Sequence, residues 1–359
     1  MRGTLLRSIL ACMMTLLIPF SSWSYRDHLT AEQKAQMEKI QTLRIDAIAL
    51  TDKGAADAGP LADVVVRRMT ELGYVVVQEA GKPHDAVLKL KCEQRKIWEG
   101  TTPTGGDADL PDAPSRLWKG PACQLTYLLG DVKIKWQKEV RTDFEDAVSA
   151  AQTANAGEPG AFALAKLQEK LEQYDFALLL AAEWGQPDRL LKLLDAADTP
   201  KMQKIKIISL LGEMQADAAL PKLKQALQDR ELNKEAAVAL GDLGPEGIPI
   251  LVDILKTSKQ TDLQAAAAKG LGKIGGINGD GRVVDPLLSM LEAPGIDIKV
   301  QTEIVWALGK VPDKRALAPL KALYKKVLHI RDPENRALQS LKEALNWSTK
   351  QLDVEEHLS

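Results

Sequence analysis

Four Leu-Gly pairs constrain this chain more than any other feature: Leu211-Gly212, Leu240-Gly241, Leu271-Gly272 and Leu308-Gly309. The glycines recur 29, 31 and 37 residues apart. An apolar residue stands two places after each, at Met214, Leu243, Ile274 and Val311, and a proline then opens a second apolar run at Pro221, Pro249, Pro286 and Pro319. Two amphipathic runs per unit, repeated at this period, predict helix pairs that bury a continuous core only by stacking on one another. The expected fold of the larger half is an α-helical solenoid, with each glycine ending its helix as a left-handed cap. Such a stack presents long surfaces and points to binding rather than catalysis.

Indexing the repeats on the glycine separates two stripes. One residue before it is always Leu; two before come Leu210, Ala239, Gly270 and Ala307; four before come Ile208, Ala237, Ala268 and Val305. These small or apolar positions share one helical face and predict the core. Three before, the residues are Ser209, Val238, Lys269 and Trp306. Six before stand Lys206, Glu235, Ala266 and Glu303, and one after stand Glu213, Asp242, Lys273 and Lys310. That mixed stripe predicts a solvent face.

The units Ala236 to Gly244 and Ala267 to Gly275 closely resemble HEAT-like repeats, nearest the short subtype also found in phycobilisome lyases. The resemblance implies that the mixed stripe lies on a concave surface where a protein partner sits. The partner-facing candidates are then Glu213, Glu235, Val238 and Asp242 at one end, and Lys269, Lys273, Glu303, Trp306 and Lys310 at the other. Trp347, one place after Asn346, is expected to match Lys310 in a terminal capping helix. An indole pair beside lysines suits a binding hot spot; the alternative is that both rings seal the end of the core.

The first half reads differently. Leu43 to Leu50 predicts a strand, Pro60 to Leu72 a helix stopped by Gly73, and Tyr74 to Val77 a second strand. Asp85 to Arg95, Ala122 to Leu129 and Val132 to Val140 alternate as a meander turned at Gly130-Asp131. The fold class is therefore multidomain. A small α+β domain spans 25–150 with a mobile loop at 101–115; a linker at 151–160 leads to an all-α HEAT-like solenoid at 161–349, followed by a frayed polar tail at 350–359. The α+β layout is similar to small domains of exported bacterial envelope proteins, a resemblance that implies partner docking.

Residues 1–24 predict a secretory signal peptide. Arg2 and Arg7 precede an apolar stretch from Ser8 to Phe20, too short to span a bilayer, and Ser22-Trp23-Ser24 offers a cleavage site. Lipidation at Cys12 is disfavoured because the apolar run continues past it. The expected location is exported, most simply periplasmic, with no membrane span in the mature chain. Export favours a disulfide between Cys92 and Cys123, whose strand phases face one core, over two buried free thiols.

Net charge is -2 with both signs interspersed, which leaves little electrostatic drive for nucleic acid. Gly270 to Gly275 spells G-x-G-x-x-G, yet it follows a helical run instead of a strand, so no dinucleotide cofactor is expected. Asn278-Gly279-Asp280-Gly281 lacks the remaining ligands of a calcium loop. His28, His84, His329 and His357 are scattered, and no catalytic set emerges. The sequence thus predicts an exported, non-catalytic interaction or scaffold protein in assembly of an envelope complex, with no cofactor. The alternatives are a lyase-like protein handling a bilin or other tetrapyrrole, and a cell-wall adaptor.

Overall fold

The computed structural model describes residues 29–77, 79, 81–101 and 115–358. The expected signal segment and nearly all of the 101–115 loop lie outside these residues.

Strand β1 (Thr42–Thr51) organises the first half. It runs parallel to β3 (Val75–Val77) and β4 (Ala86–Thr101) and antiparallel to the short β2 (Gly54–Ala56). β4, β5 (Ser115–Leu129) and β6 (Val132–Arg141) form the antiparallel meander, turned at Gly130 with φ +57. The sheet order is β2-β1-β4-β5-β6, with β3 also beside β1. Alternation gives it two characters: Leu88, Leu90, Leu125 and Tyr127 are buried on one face, whereas Lys89 and Lys91 are exposed on the other. Cys92 and Cys123 stand directly opposite on the buried face and are bonded to each other.

Helix α1 (Ala31–Glu38) starts in a capping box made by Thr30 and Gln33. Helix α2 (Gly59–Glu71) carries a proline in its first turn, buries Leu61, Val64, Val65 and Met69, and stops before Gly73 at φ +81. The second matches the sequence reading.

The expected linker does not exist as such. α3 (Ala147–Thr153) occupies its beginning, and Asn155 then takes a positive φ of 49. Glu158 accepts the Ala161 amide, and Pro159 opens α4 (Pro159–Gln173). Asn, Gly, Glu and Pro at 155–160 are helix punctuation, which has the same composition as a linker. α4 packs on the buried face of the sheet, where a Cβ on Gly160 would lie 2.8 Å from the Gln94 amide oxygen. Residues 159–173 therefore complete the α+β unit and do not begin the solenoid.

The two halves share one core. After α5 (Phe176–Glu183), Trp184 is fully buried with its ring edge-on to Tyr74 at 5.3 Å and to Tyr127 at 5.5 Å. Buried Gln186 donates to the carbonyls of Met37, Glu38 and Ile40 and accepts from Tyr74 Oη at 2.6 Å and Arg189 Nε at 2.7 Å. Arg189 stacks on Tyr74, 3.7 Å from the ring centroid, and also donates to the Leu72 carbonyl.

Five helix pairs follow. They are α6 (Pro187–Asp195) with α7 (Lys201–Glu213), α8 (Leu220–Ala226) with α9 (Asn233–Leu243), α10 (Ile248–Thr257) with α11 (Thr261–Asn278), α12 (Val284–Leu291) with α13 (Ile298–Lys310), and α14 (Leu317–Leu328) with α15 (Arg336–Leu358). The leucine of every Leu-Gly pair is fully buried, as are all four residues three places before it. The glycines, however, do not cap. Gly212, Gly241, Gly272 and Gly309 lie within their helices, where a Cβ would collide with the next second helix. The obstructing residues are Ala239 at 2.8 Å, Gly270, Ala307 at 2.7 Å and Ser348. Each glycine is the hollow that lets one second helix lie against the next. The 350–359 tail is also corrected. Helix α15 continues through it because Leu352 is buried in phase with Leu345, and Asp353 pairs with Lys321 at 2.5 Å.

Candidate functional site on the second-helix face

The glycine ladder fixes the register of the outer stripe. Gly212, Gly241 and Gly272 each meet the residue two places before the next glycine. Gly309 meets Ser348, whose hydroxyl donates to the Val305 carbonyl at 2.9 Å. Lys350 therefore takes the glycine place in α15. Trp347 falls three places before it and matches Trp306, not Lys310 as expected. The cap is one helical turn out of the register read from Leu345-Asn346, because a long helix without glycine carries no internal mark of phase.

This register explains how the two indoles come together. Their ring centroids are 5.2 Å apart at an interplanar angle of 49°, an arrangement worth about 0.5–1.5 kcal/mol beyond area burial. Trp306 is half-buried and packs on the core; Trp347 is half-buried too. Each indole is thus partly covered by packing and partly open. Neither indole N–H donates to an acceptor among the described residues.

Trp347 also walls an open depression of about 510 Å³ between the C-terminal ends of α11 and α13 and the middle of α15. Lys273 and Ile277 form the opposite wall, Leu352 continues the side of Trp347, and Lys310 with Pro312 stands between them. Ile277 is 64% exposed, which is unusual for an aliphatic side chain on such a helix. The structure therefore brings Lys273, Lys310, Trp306 and Trp347 into one neighbourhood.

The remaining candidates sort differently. Lys273 is tied to Asp242 on the preceding helix, with Nζ 2.7 and 2.6 Å from the two carboxylate oxygens. These two residues bind each other across the repeats and act first as a stacking clamp. Glu213 accepts from Ser209 at 3.1 Å. Val238 is half-buried, as are Glu235 and Glu303, and neither glutamate has an ion-pair partner among the described residues. Lys269 is exposed and also unpaired among them. Glu213, Glu235, Val238 and Asp242 lie on earlier helices than the depression, outside its lining. Ile277 and Leu352 were missed: the outer stripe continued one turn past Lys273 finds Ile277, whereas Leu352 is a core position of α15, seven places after Leu345.

Two motifs resolve as structure. Gly270 to Gly275 lies inside α11, and a Cβ on Gly270 would come within 2.7 Å of the Ala237 carbonyl oxygen. These glycines pack helices and do not turn around a pyrophosphate. Asp280 caps the following turn, accepting from the Arg282 amide and guanidinium, which hold its carboxyl below the usual carboxylate range. Among the described residues, no three His, Cys, Asp or Glu side chains converge as a metal-holding group, and no helix is long and apolar enough to cross a membrane.

Comparison with known proteins agrees on the class. A family profile described as HEAT repeats matches residues 187–272 and 248–342, which places a HEAT-like repeat region over the helix pairs from α6 into α15. That span is less than half of the chain, and the match carries no lyase subtype. The search of curated proteins gives no match. Among solved structures, human deoxyhypusine hydroxylase in complex with glycerol aligns with 58% of this chain and 90% of its own, at 16% identity and a TM-score of 0.26. A superposition that loose carries no argument about this chain.

Proposed function

We propose that this protein is an exported, non-catalytic scaffold that grips a protein partner on the concave, second-helix side of its solenoid, in assembly of an envelope complex. The observation that carries the reading is the Trp306–Trp347 pair, two half-exposed indoles in the same register on adjacent helices beside an open apolar depression. Partly buried tryptophans flanked by charge concentrate binding energy at interfaces, because they are held rigid and lose little entropy on contact. HEAT repeats mediate protein contacts generally, and the repeat region here offers that surface. The residue pattern of 1–24 and the paired Cys92–Cys123 support export.

Photo-crosslinking residues introduced at Val238 or Lys269, in cells that make the protein, should trap a partner, whereas the same groups at Lys256 or Lys325 on the first helices should not. Trp306→Ala and Trp347→Ala should each weaken the adduct about 30-fold or more, with the thermal melt moving only a few degrees. Equal trapping from both faces, or trapping indifferent to both tryptophans, overturns the reading. Fractionation of cells making the full chain and a chain lacking 1–24 tests export.

A further inference from the structure

The turn between α14 and α15 differs from the other turns that join a first helix to its second. Leu328 and Ile330 are 48% and 47% exposed, and every residue from Leu328 to Ala337 lies at the surface. The corresponding turns at 196–200, 227–232, 258–260 and 292–297 expose no large aliphatic side chain. Two side chains of α15 hold the last turn from beneath. Lys342 Nζ donates to the Ile330 carbonyl at 2.6 Å, and Gln339 Nε2 donates to the Asp332 carbonyl at 2.8 Å. Asn335 accepts the Leu338 amide at 3.1 Å and caps the helix. Val327 is buried beside them. The backbone is therefore fixed, with Leu328 and Ile330 left outside.

Cations surround these two aliphatics. Lys325, Lys326, Arg331 and Arg336 are exposed, and none has an ion-pair partner among the described residues. Lys342 adds a fifth positive charge, and Asp332 and Glu334 are the only carboxylates of residues 325–342. The turn thus keeps an excess of three positive charges in a chain whose net charge is -2. Glu343 is the next carboxylate along α15, and Lys321, one turn back on α14, is paired with Asp353.

We propose that this turn is a contact site for the surface of an anionic lipid bilayer. Leu328 and Ile330 enter the headgroup layer, and Lys325, Lys326, Arg331 and Arg336 pair with lipid phosphates around them. A projecting tip cannot enclose a protein segment, whereas a headgroup layer closes around it and brings negative charge to every side. The site is separate from the concave-face depression. Arg336 and Trp347 are eleven residues apart on α15, about 16 Å along the helix axis. A chain seated on a bilayer by this turn keeps its concave face open to a protein partner, and the contact depends neither on that partner nor on export.

The test is co-sedimentation of the mature chain with vesicles of phosphatidylcholine, alone or mixed equally with phosphatidylglycerol. Binding to the anionic vesicles should be about tenfold tighter or more, and should weaken as salt rises. Each cation near an anionic surface contributes about fivefold, so Lys325→Gln with Lys326→Gln should weaken binding about 20-fold. Leu328→Ser with Ile330→Ser should weaken it about tenfold. All four side chains are exposed, so an unchanged melt verifies the fold of each variant. Lys256→Gln with Lys259→Gln removes the same charge two helix spacings away, roughly 20 Å, and should change binding less than about twofold. Equal binding to both kinds of vesicle, or parental binding by either variant of the turn, overturns the inference. So does displacement from anionic vesicles by poly-glutamate at equal charge concentration, which marks a site for an acidic protein. Absence of vesicle binding beside crosslinks that still depend on Trp306 sinks the membrane site and leaves the docking role.

Discussion

At the scale of single residues, the glycines of the Leu-Gly pairs show how one chemical preference can have opposite signs in one chain. A glycine inside a helix normally costs about 1 kcal/mol against alanine, so replacement at an open helical site stabilises. At Gly241 the added methyl meets the backbone of Gly270, which belongs to a packed helix and cannot swing aside as a side chain would. Overpacking of that kind costs about 1–3 kcal/mol, more than the propensity gain. Gly241→Ala is therefore expected to lower the unfolding free energy by about 1–3 kcal/mol. Gly157→Ala, where nothing lies within 4 Å, should stay within about 0.5 kcal/mol of the parent. Urea midpoints compared at equal slope measure both, and equal shifts would contradict the packing role. The ladder also explains why small residues stand two places before Gly241, Gly272 and Gly309, while Leu210, two before the first glycine, faces none of the glycines of the ladder. Ala239, Gly270, Ala307 and Ser348 are the facing surfaces, and the sequence displayed three of them while hiding the fourth behind the unmarked phase of α15.

At the scale of elements, what was legible followed from local periodicity and what was not depended on contacts distant in sequence. The core stripe of α7, α9, α11 and α13 could be read because one turn of helix defines it. The meander from β4 to β6 could be read because a period of two puts Leu88, Leu90 and Cys92 on one face. That α4 covers the sheet could not be read. Leu167 and Leu171 are as suitable for a solenoid as for a sheet, and only Gly160 against Gln94 and Thr51 shows which was chosen. The Trp306–Trp347 neighbourhood was half legible: the residues were named, but their shared register required the packing of Gly309 on Ser348. The disulfide lies between these cases. Strand phase put both thiols on the core face, and the β4–β5 register made them neighbours. They are 31 residues apart, so loop-closure entropy assigns the bond about 3–4 kcal/mol. Cys92→Ala with Cys123→Ala should lower unfolding free energy by about that amount. Because both sulfurs are fully buried, mild reductant should act on the native chain only as fast as it unfolds. Mass-spectrometric thiol counting under native conditions would show otherwise if β4 and β5 open locally.

At the scale of the whole molecule, Trp184, Gln186 and Arg189 join the sheet and the solenoid into one cooperative body. Gln186 alone satisfies three carbonyls at the end of α1, so separation of the halves would leave several buried polar groups unpaired at once. A single thermal transition is expected for the full chain, and a fragment ending at residue 150 should lack one, since it exposes the sheet face that α4 and Trp184 cover. Tyr74 makes the junction sensitive to alkali. Burial raises its phenol well above the ordinary tyrosine range, and the Arg189 charge offsets that only in part. A group whose folded-state pKa lies above its unfolded value contributes stability that is complete below the unfolded value, about 10, and is lost as pH rises beyond it. The calorimetric melting temperature should therefore hold from neutral pH to about 9.5 and then fall. Tyr74→Phe gives up the hydroxyl bond to Gln186, at about 0.5–1.5 kcal/mol, while Arg189 continues to donate to the same oxygen. It should flatten most of the alkaline decline, leaving a remainder from half-buried Tyr174, whose phenol is also raised by burial. A decline as steep in Tyr74→Phe as in the parent would place the alkaline weakness elsewhere. If the solenoid alone then survives high pH in a separate transition, the shared core around Trp184 is not what couples the two halves.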